Sequence, residues 1–181
     1  MERSVQYTSR IMLVDEDADL LEMLREYLTQ KRTARVDCES DSLAALNSHL
    51  DHPCDVVVLS TCMVDMHYSK FVDHLTAVGR PRVILMAPRV DAHQILSALR
   101  LGVADVLTKP FELDELWQAV EQLVECRRRE AYRLRKRRRM RENLRAVRLH
   151  NRALQQRVDL LSRDLVGAYR RLARRFAELQ P

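Results

Sequence analysis

Glycine and proline are scarce, with 3 Gly and 5 Pro among 181 residues. With 31% of the residues charged, that scarcity works against extended disorder and favours long helices. Long apolar runs are missing too. No stretch approaches the ~20 residues needed to span a bilayer, and the N-terminal MERSVQYTSR lacks the apolar core of a secretory signal. The cysteines Cys38, Cys54, Cys62 and Cys126 form no tight motif, so they are expected to be reduced thiols of a cytosolic chain. These absences lead to an expected soluble, cytoplasmic protein without membrane insertion. Its length suits one ordinary domain plus an appendage.

What is present divides in two. The net charge of +5 hides 12 Lys+Arg against 21 Asp+Glu in residues 1–125, a balance of −9, and 19 against 5 in residues 126–181, a balance of +14. A domain at 1–125 and a basic helical segment at 126–181 follow, with different work and different partners.

In the first part, short apolar runs at 11–14, 35–38, 56–59, 83–86 and 106–108 alternate with amphipathic segments at 18–30, 42–50, 69–77 and 92–100. The runs are rich in Val and Ile and too short for helices. Gly102 stands where a left-handed helix cap is expected. Five such alternations predict an α/β fold, a doubly wound parallel sheet with helices on both faces. In such sheets function gathers at the carboxyl ends of the strands.

Those ends carry Asp15 and Glu16, then Ser60, then Met86 and Ala87, then Thr108, Lys109 and Pro110. Two carboxylates and an ammonium therefore converge around a serine. Taken alone, such a group is more commonly a structural ion pair at a sheet edge than an active site.

Three stretches in order, IMLVDEDADLLEMLREYL, CDVVVLSTCMVDM and GVADVLTKPF, resemble the receiver domain of bacterial response regulators over residues ~7–125. The resemblance implies a five-stranded parallel sheet in the order 2-1-3-4-5 and a cis bond between Lys109 and Pro110. Asp15 and Glu16 fall on the family's acidic pair, which holds Mg²⁺, and Lys109 on its lysine. Ser60 falls on the phosphoacceptor aspartate, Ala87 on the Ser or Thr that grips the phosphoryl group, and Val106 on the switch aromatic.

The three replaced positions are those that accept and read the phosphate. A serine hydroxyl without a base is a poor nucleophile and a weak ligand for a hard cation. Loss of the central carboxylate relieves like-charge repulsion, so Lys109 can pair with Asp15 or Glu16 without metal. The expectation is a pseudo-receiver that is not an enzyme and has no cofactor or metal. Two other constellations are weaker. Ser60 with His67 and Asp65 lacks the glycine-rich elbow of a serine hydrolase. His49, His52 and Cys54 lack a fourth ligand at defined spacing.

From residue 112 to 180 there is no proline and the only glycine is Gly167, so one helix can continue for about 100 Å at 1.5 Å per residue. From Leu144 a heptad seam emerges, with Leu144, Asn151, Val158, Leu165 and Leu172 at a and Val147, Leu154, Leu161 and Ala168 at d. Asn151 at an a position suits a parallel homodimer; antiparallel and four-helix arrangements stay open. Ahead of the seam, residues 127–141 hold ten basic side chains and one acidic: Arg127, Arg128, Arg129, Arg133, Arg135, Lys136, Arg137, Arg138, Arg139 and Arg141, against Glu130. Extending the register backwards places Glu130, Arg133 and Arg137 in the core, so the seam should loosen there. This segment can dock on an acidic protein face, contact nucleic acid without sequence preference, or serve as a solvated helix. The functional expectation is an atypical response regulator that acts through an unidentified protein partner. The alternative is a nucleic-acid-binding regulator using the arginine-rich helix.

Overall fold

The computed structural model describes residues 9–31, 34–89 and 91–178, with side chains as far as 171. The chain divides into two compact units, Met1–Glu130 and Ala131–Pro181.

The first unit alternates strand and helix: β1 (Arg10–Val14), α1 (Ala18–Lys31), β2 (Arg35–Glu39), α2 (Ser42–Asp51), β3 (Val56–Ser60), α3 (Tyr68–Val78), β4 (Arg82–Ala87), α4 (Ala92–Arg100) and β5 (Asp105–Thr108). The strands pair in parallel in the order β2-β1-β3-β4-β5, as expected. The element bounds extend each expected segment by a residue or two at most. Ser60 belongs to β3 because it sits opposite Met86 in the register with β4. The Lys109–Pro110 bond is cis, and Gly102 has φ 85° after α4, both as expected.

Period-two alternation sends successive strand residues to opposite faces. Ile11, Leu13, Val56, Val58, Ile84 and Met86 join Leu24 and Leu28 of α1 in one core, together with Leu116 and Val120. Met12, Val14, Val57, Leu59, Val83 and Leu85 join Ala45 of α2, Phe71 and Leu75 of α3 and Ala98 of α4 in the other. The central strands are buried on both faces, which is why they read as continuous apolar runs. Helix starts are set by side chains that satisfy unpaired N–H groups. Asp41 accepts from Ala44 N at 2.7 Å. Asp91 and Gln94 form a reciprocal capping box at α4.

α5 runs from Leu113–Glu178, 66 residues; the expected residues 179 and 180 lie outside the described ones. The first compact unit includes Arg127 and Glu130, somewhat past the expected boundary at 125. Ion pairs tie this stretch to the sheet: Glu130 pairs with Arg82 of β4, and Arg127 lies 3.9 Å from Asp55 and 3.6 Å from Glu130. Among the described residues no helix is long and apolar enough to cross a membrane.

His49 on α2 is buried, and its Nδ1 accepts the Cys54 N–H at 3.1 Å. Its Nε2 has no partner, and a Cβ added at Gly79 would meet it at 3.0 Å. Burial, and then the charge of Arg10, lower the His49 pKa from its ordinary value of 6.5. A histidine held neutral in the fold takes its proton more readily when unfolded, so stability present at neutral pH is lost as pH falls below that value. Urea unfolding between pH 7.5 and 5 should show this decline. His49→Gln, which keeps an acceptor for Cys54 N–H, should flatten it; an unchanged slope would count against His49 as its source.

Candidate functional site

The site is assembled where four chain segments leave the sheet. β1 ends at Val14, and the next residue, Asp15, is 4% exposed. Its Oδ1 accepts the Asp17 N–H at 3.2 Å, and its Oδ2 accepts the Lys109 ammonium. Lys109 is brought over the strand ends by its own N–H, which donates to the Ala87 carbonyl at 2.7 Å. Of the two carboxylates open to Lys109 in sequence, Asp15 is the one that pairs with it. The Glu16 Oε1 instead accepts the Val64 N–H from the loop after β3.

Ser60 closes β3 and is 1% exposed. Its Oγ accepts the Cys62 N–H at 3.4 Å, a long bond, while Thr61 N donates to the Met86 carbonyl at 2.9 Å. The Ser60, His67 and Asp65 constellation is not assembled. His67 caps α3, with Nδ1 accepting the Ser69 N–H at 3.3 Å. Asp65 accepts from Ser42 N at 2.7 Å and Ser42 Oγ at 2.8 Å. Burial works to raise the Asp65 pKa, but the Ser42 hydroxyl and backbone N–H donors outweigh it and hold the carboxyl below its ordinary value. Each partner a nucleophilic serine would need is engaged elsewhere.

The donor set does not fit the Mg²⁺ that receivers hold on their acidic pair. Both oxygens of Asp15 are taken, one by the Lys109 ammonium, Glu16 is held by a backbone N–H, and the third position offers a hydroxyl. The His49, His52 and Cys54 set also dissolves. His49 Nδ1 serves the Cys54 backbone, and the Cys54 thiol donates to the His52 carbonyl at 3.7 Å. Burial pushes that thiol up to about 11, far from the thiolate that ligates metal.

Ala87 is the last residue of β4 and is buried. Val106 lies opposite Leu85 in β5 and is half-buried. Beside these two small side chains is a cavity of about 580 Å³. Sequence reasoning missed it; the available signal was the small residues at two positions where the resembled family carries larger ones.

In the second unit, the seam residues are exposed along the helix: Leu144 48%, Leu154 48%, Val158 60%, Leu161 61% and Leu165 60%. Val147 and Asn151 are exposed and Ala168 half-buried, while the Leu172 side chain lies outside the described residues. The basic segment is not uniform. Arg127 pairs as described above, Arg128 lies 2.9 Å from Glu125, and Arg138 lies 3.1 Å from Glu142. Arg129, Arg133, Arg135, Lys136, Arg137, Arg139 and Arg141 are exposed. Glu130, one of the positions where the seam is expected to loosen, has its carboxylate drawn to Arg82.

Comparison with known proteins agrees with this geometry. A family model described as the response regulator receiver domain matches residues 11–121. The transcriptional regulatory protein KdpE of Mycobacterium tuberculosis is 32% identical over 105 residues, covering 58% of this chain and 46% of that protein. The chain thus spans about half the length of this curated relative. The non-phosphorylated HemR receiver domain from Leptospira biflexa superposes with a TM-score of 0.60 at 26% identity, covering 65% of this chain and 94% of that one. A CheY-like receiver domain protein from Methanospirillum hungatei gives 0.64 at 14% identity, covering 68% and 98%, a likeness of fold alone.

Proposed function

Because the chain belongs, over residues 11–121, to the response regulator receiver domain family, we propose that it is an atypical response regulator that works by binding a signalling partner rather than by phosphoryl transfer. One observation carries this reading: a buried serine hydroxyl stands where the family's acceptor carboxylate would be, at the strand ends where the Lys109 ammonium is already paired with Asp15. A hydroxyl with no base in reach does not attack an acyl phosphate, and no other carboxylate occupies its place. The reading assigns the chain no catalytic activity.

Incubation of the full chain with acetyl phosphate and Mg²⁺, followed by intact-mass measurement, should show no added phosphoryl group. A hydroxylamine-labile adduct on an aspartate would overturn the reading. Calorimetric titration with Mg²⁺ should give no heat of specific binding, because occupancy would require breaking the Asp15–Lys109 pair for a site short of one carboxylate. Saturable binding at micromolar Mg²⁺ would contradict it.

The reading also assigns the second unit to a parallel two-stranded coiled coil. Its support is the exposed apolar seam of residues 144–165, which would be covered by a second copy. In that register the g positions are Asn143, His150, Arg157 and Asp164 and the e positions Arg148, Gln155, Ser162 and Tyr169. Among these positions no like-charged g–e pair faces across such a dimer, whereas the preceding pair, Lys136 and Arg141, is like-charged, so the coil should loosen ahead of Leu144.

The exposed arginines of residues 131–141 favour one alternative, a nucleic-acid-binding output. Retention on DNA or RNA that falls steeply with added salt would support it, and no retention at modest salt would favour the protein-binding regulator.

A further inference from the structure

The cavity of about 580 Å³ in the first unit is not lined by Asp15, Glu16, Ser60 or Lys109. It lies between the end of β4, the start of α3 and the inner side of α4. Ala87 and Val106 form part of its wall, and Leu85, Tyr68 and Ala98 extend the apolar lining. Leu85, Ala87 and Ala98 are each at most 5% exposed and form its floor, while Cys62, His67, Pro88, Arg89 and Gln94 are exposed and form its mouth. The volume lies within the ~300–1,000 Å³ range of small-molecule sites, which are mostly apolar with a few placed polar groups. What keeps it open is local: an alanine and a valine project where longer side chains would fill the space.

Arg89 is the one fixed charge among the lining residues; besides His67, the polar groups of Thr61, Cys62, Tyr68 and Gln94 are neutral. Arg89 follows β4 and lines the cavity with an exposed guanidinium. His67 lines it too, and since its Nδ1 accepts the Ser69 N–H, the neutral ring carries its proton on Nε2, a donor. Gln94 is committed to the α4 capping box with Asp91. Among the described residues that line the cavity none is acidic. Residues 1–125 nonetheless hold 21 Asp+Glu against 12 Lys+Arg. An apolar chamber with a guanidinium and a ring N–H fits a ligand with a flat apolar body and one negative charge.

We propose that this cavity binds a small aromatic carboxylic acid, with the ring against the Tyr68, Leu85 and Val106 wall and the carboxylate toward Arg89 and His67. The site goes beyond the proposed loss of phosphoryl transfer and depends neither on it nor on the number of strands in the coil. Titration calorimetry of the full chain with naphthalene-2-carboxylate, and with 2-naphthalenemethanol as its uncharged counterpart, tests it. The acid should bind saturably, one per chain, and at least about tenfold more tightly than the alcohol, as expected for a charge-assisted hydrogen bond. Arg89→Gln, at an exposed position, should abolish that preference while leaving alcohol binding unchanged. Val106→Phe and Ala87→Leu fill the cavity from two sides and should each abolish binding of both compounds. Circular dichroism identifies a filling variant that misfolds, and the Arg89 variant decides the matter if both do. Non-saturable heats, equal binding of acid and alcohol in the parent, an Arg89→Gln variant that keeps the preference, or undiminished binding in a folded filling variant would overturn the site.

Discussion

Asn151→Leu should raise the melting temperature of the chain and destroy its preference for two strands. In the proposed parallel dimer the two Asn151 side chains meet at an a position, where an amide costs stability but specifies register and strand number. Each leucine placed there would bury an apolar side chain worth about 1.5–3 kcal/mol, and a dimer contains two. The same change removes the penalty on a slipped register or a third strand, so trimers and mixed species should appear. Asn151→Asp should act in the opposite sense, loosening the pair near neutral pH by opposing two partly buried carboxylates. Leu154→Asp, at the neighbouring d position, should dissociate the assembly outright. Sedimentation equilibrium on the parent and the three variants reads all of this. A monomeric parent, or a leucine variant that stays a clean dimer of unchanged stability, would show that the exposed residues of 144–165 are not a dimer seam.

Ser60→Asp should be the most destabilising conservative-sized change at the sheet edge, at about 2 kcal/mol near neutral pH. The position is 1% exposed and lies at the strand ends with Asp15, whose only cationic partner among the described residues is Lys109. A second carboxylate there would be buried and would repel the first. Its folded pKa would be raised above the unfolded value of about 3.9, so the deficit is complete at neutral pH and shrinks as pH falls toward that value. Magnesium should reverse part of it, because the variant regains a third carboxylate and a cation that binds the folded state stabilises it by mass action. Thermal unfolding with and without millimolar Mg²⁺ should therefore shift for the variant and not for the parent. A parent that gains as much as the variant would mean that Asp15 and Glu16 hold the ion without a third carboxylate, against the geometry of the pair.

The two experiments concern the two units separately, and the legibility of each in sequence differed for physical reasons. The four consecutive β-branched and leucine residues from Val56 marked a strand buried on both faces, because a parallel sheet leaves no solvated side to enforce alternation. Gly102 marked the end of α4, since a left-handed cap is a requirement of the residue just past the helix and needs nothing distant in the chain. By contrast, Glu16 meeting the Val64 N–H spans 48 residues and depends on how the loop after β3 folds over the strand ends. In sequence Arg127 reads as the start of a basic patch and Glu130 as its one acidic member. They are instead bound to Asp55 and Arg82, ahead of β3 and at the start of β4.

The sequence by itself determined the order of strands and helices, the chemistry offered at each strand end and the absence of a carboxylate at position 60. Those properties are set by side-chain periodicity and residue identity, which act locally and need no knowledge of the rest of the chain. Only the tertiary structure decided that Lys109 pairs with Asp15 rather than Glu16, and that Asp65 and His67 serve neighbouring backbone and hydroxyl groups rather than Ser60. It also decided that Ala87 and Val106 border an open cavity. Each depends on distances between elements far apart in sequence, fixed when two apolar cores close on a twisted sheet, and no local pattern encodes such a distance.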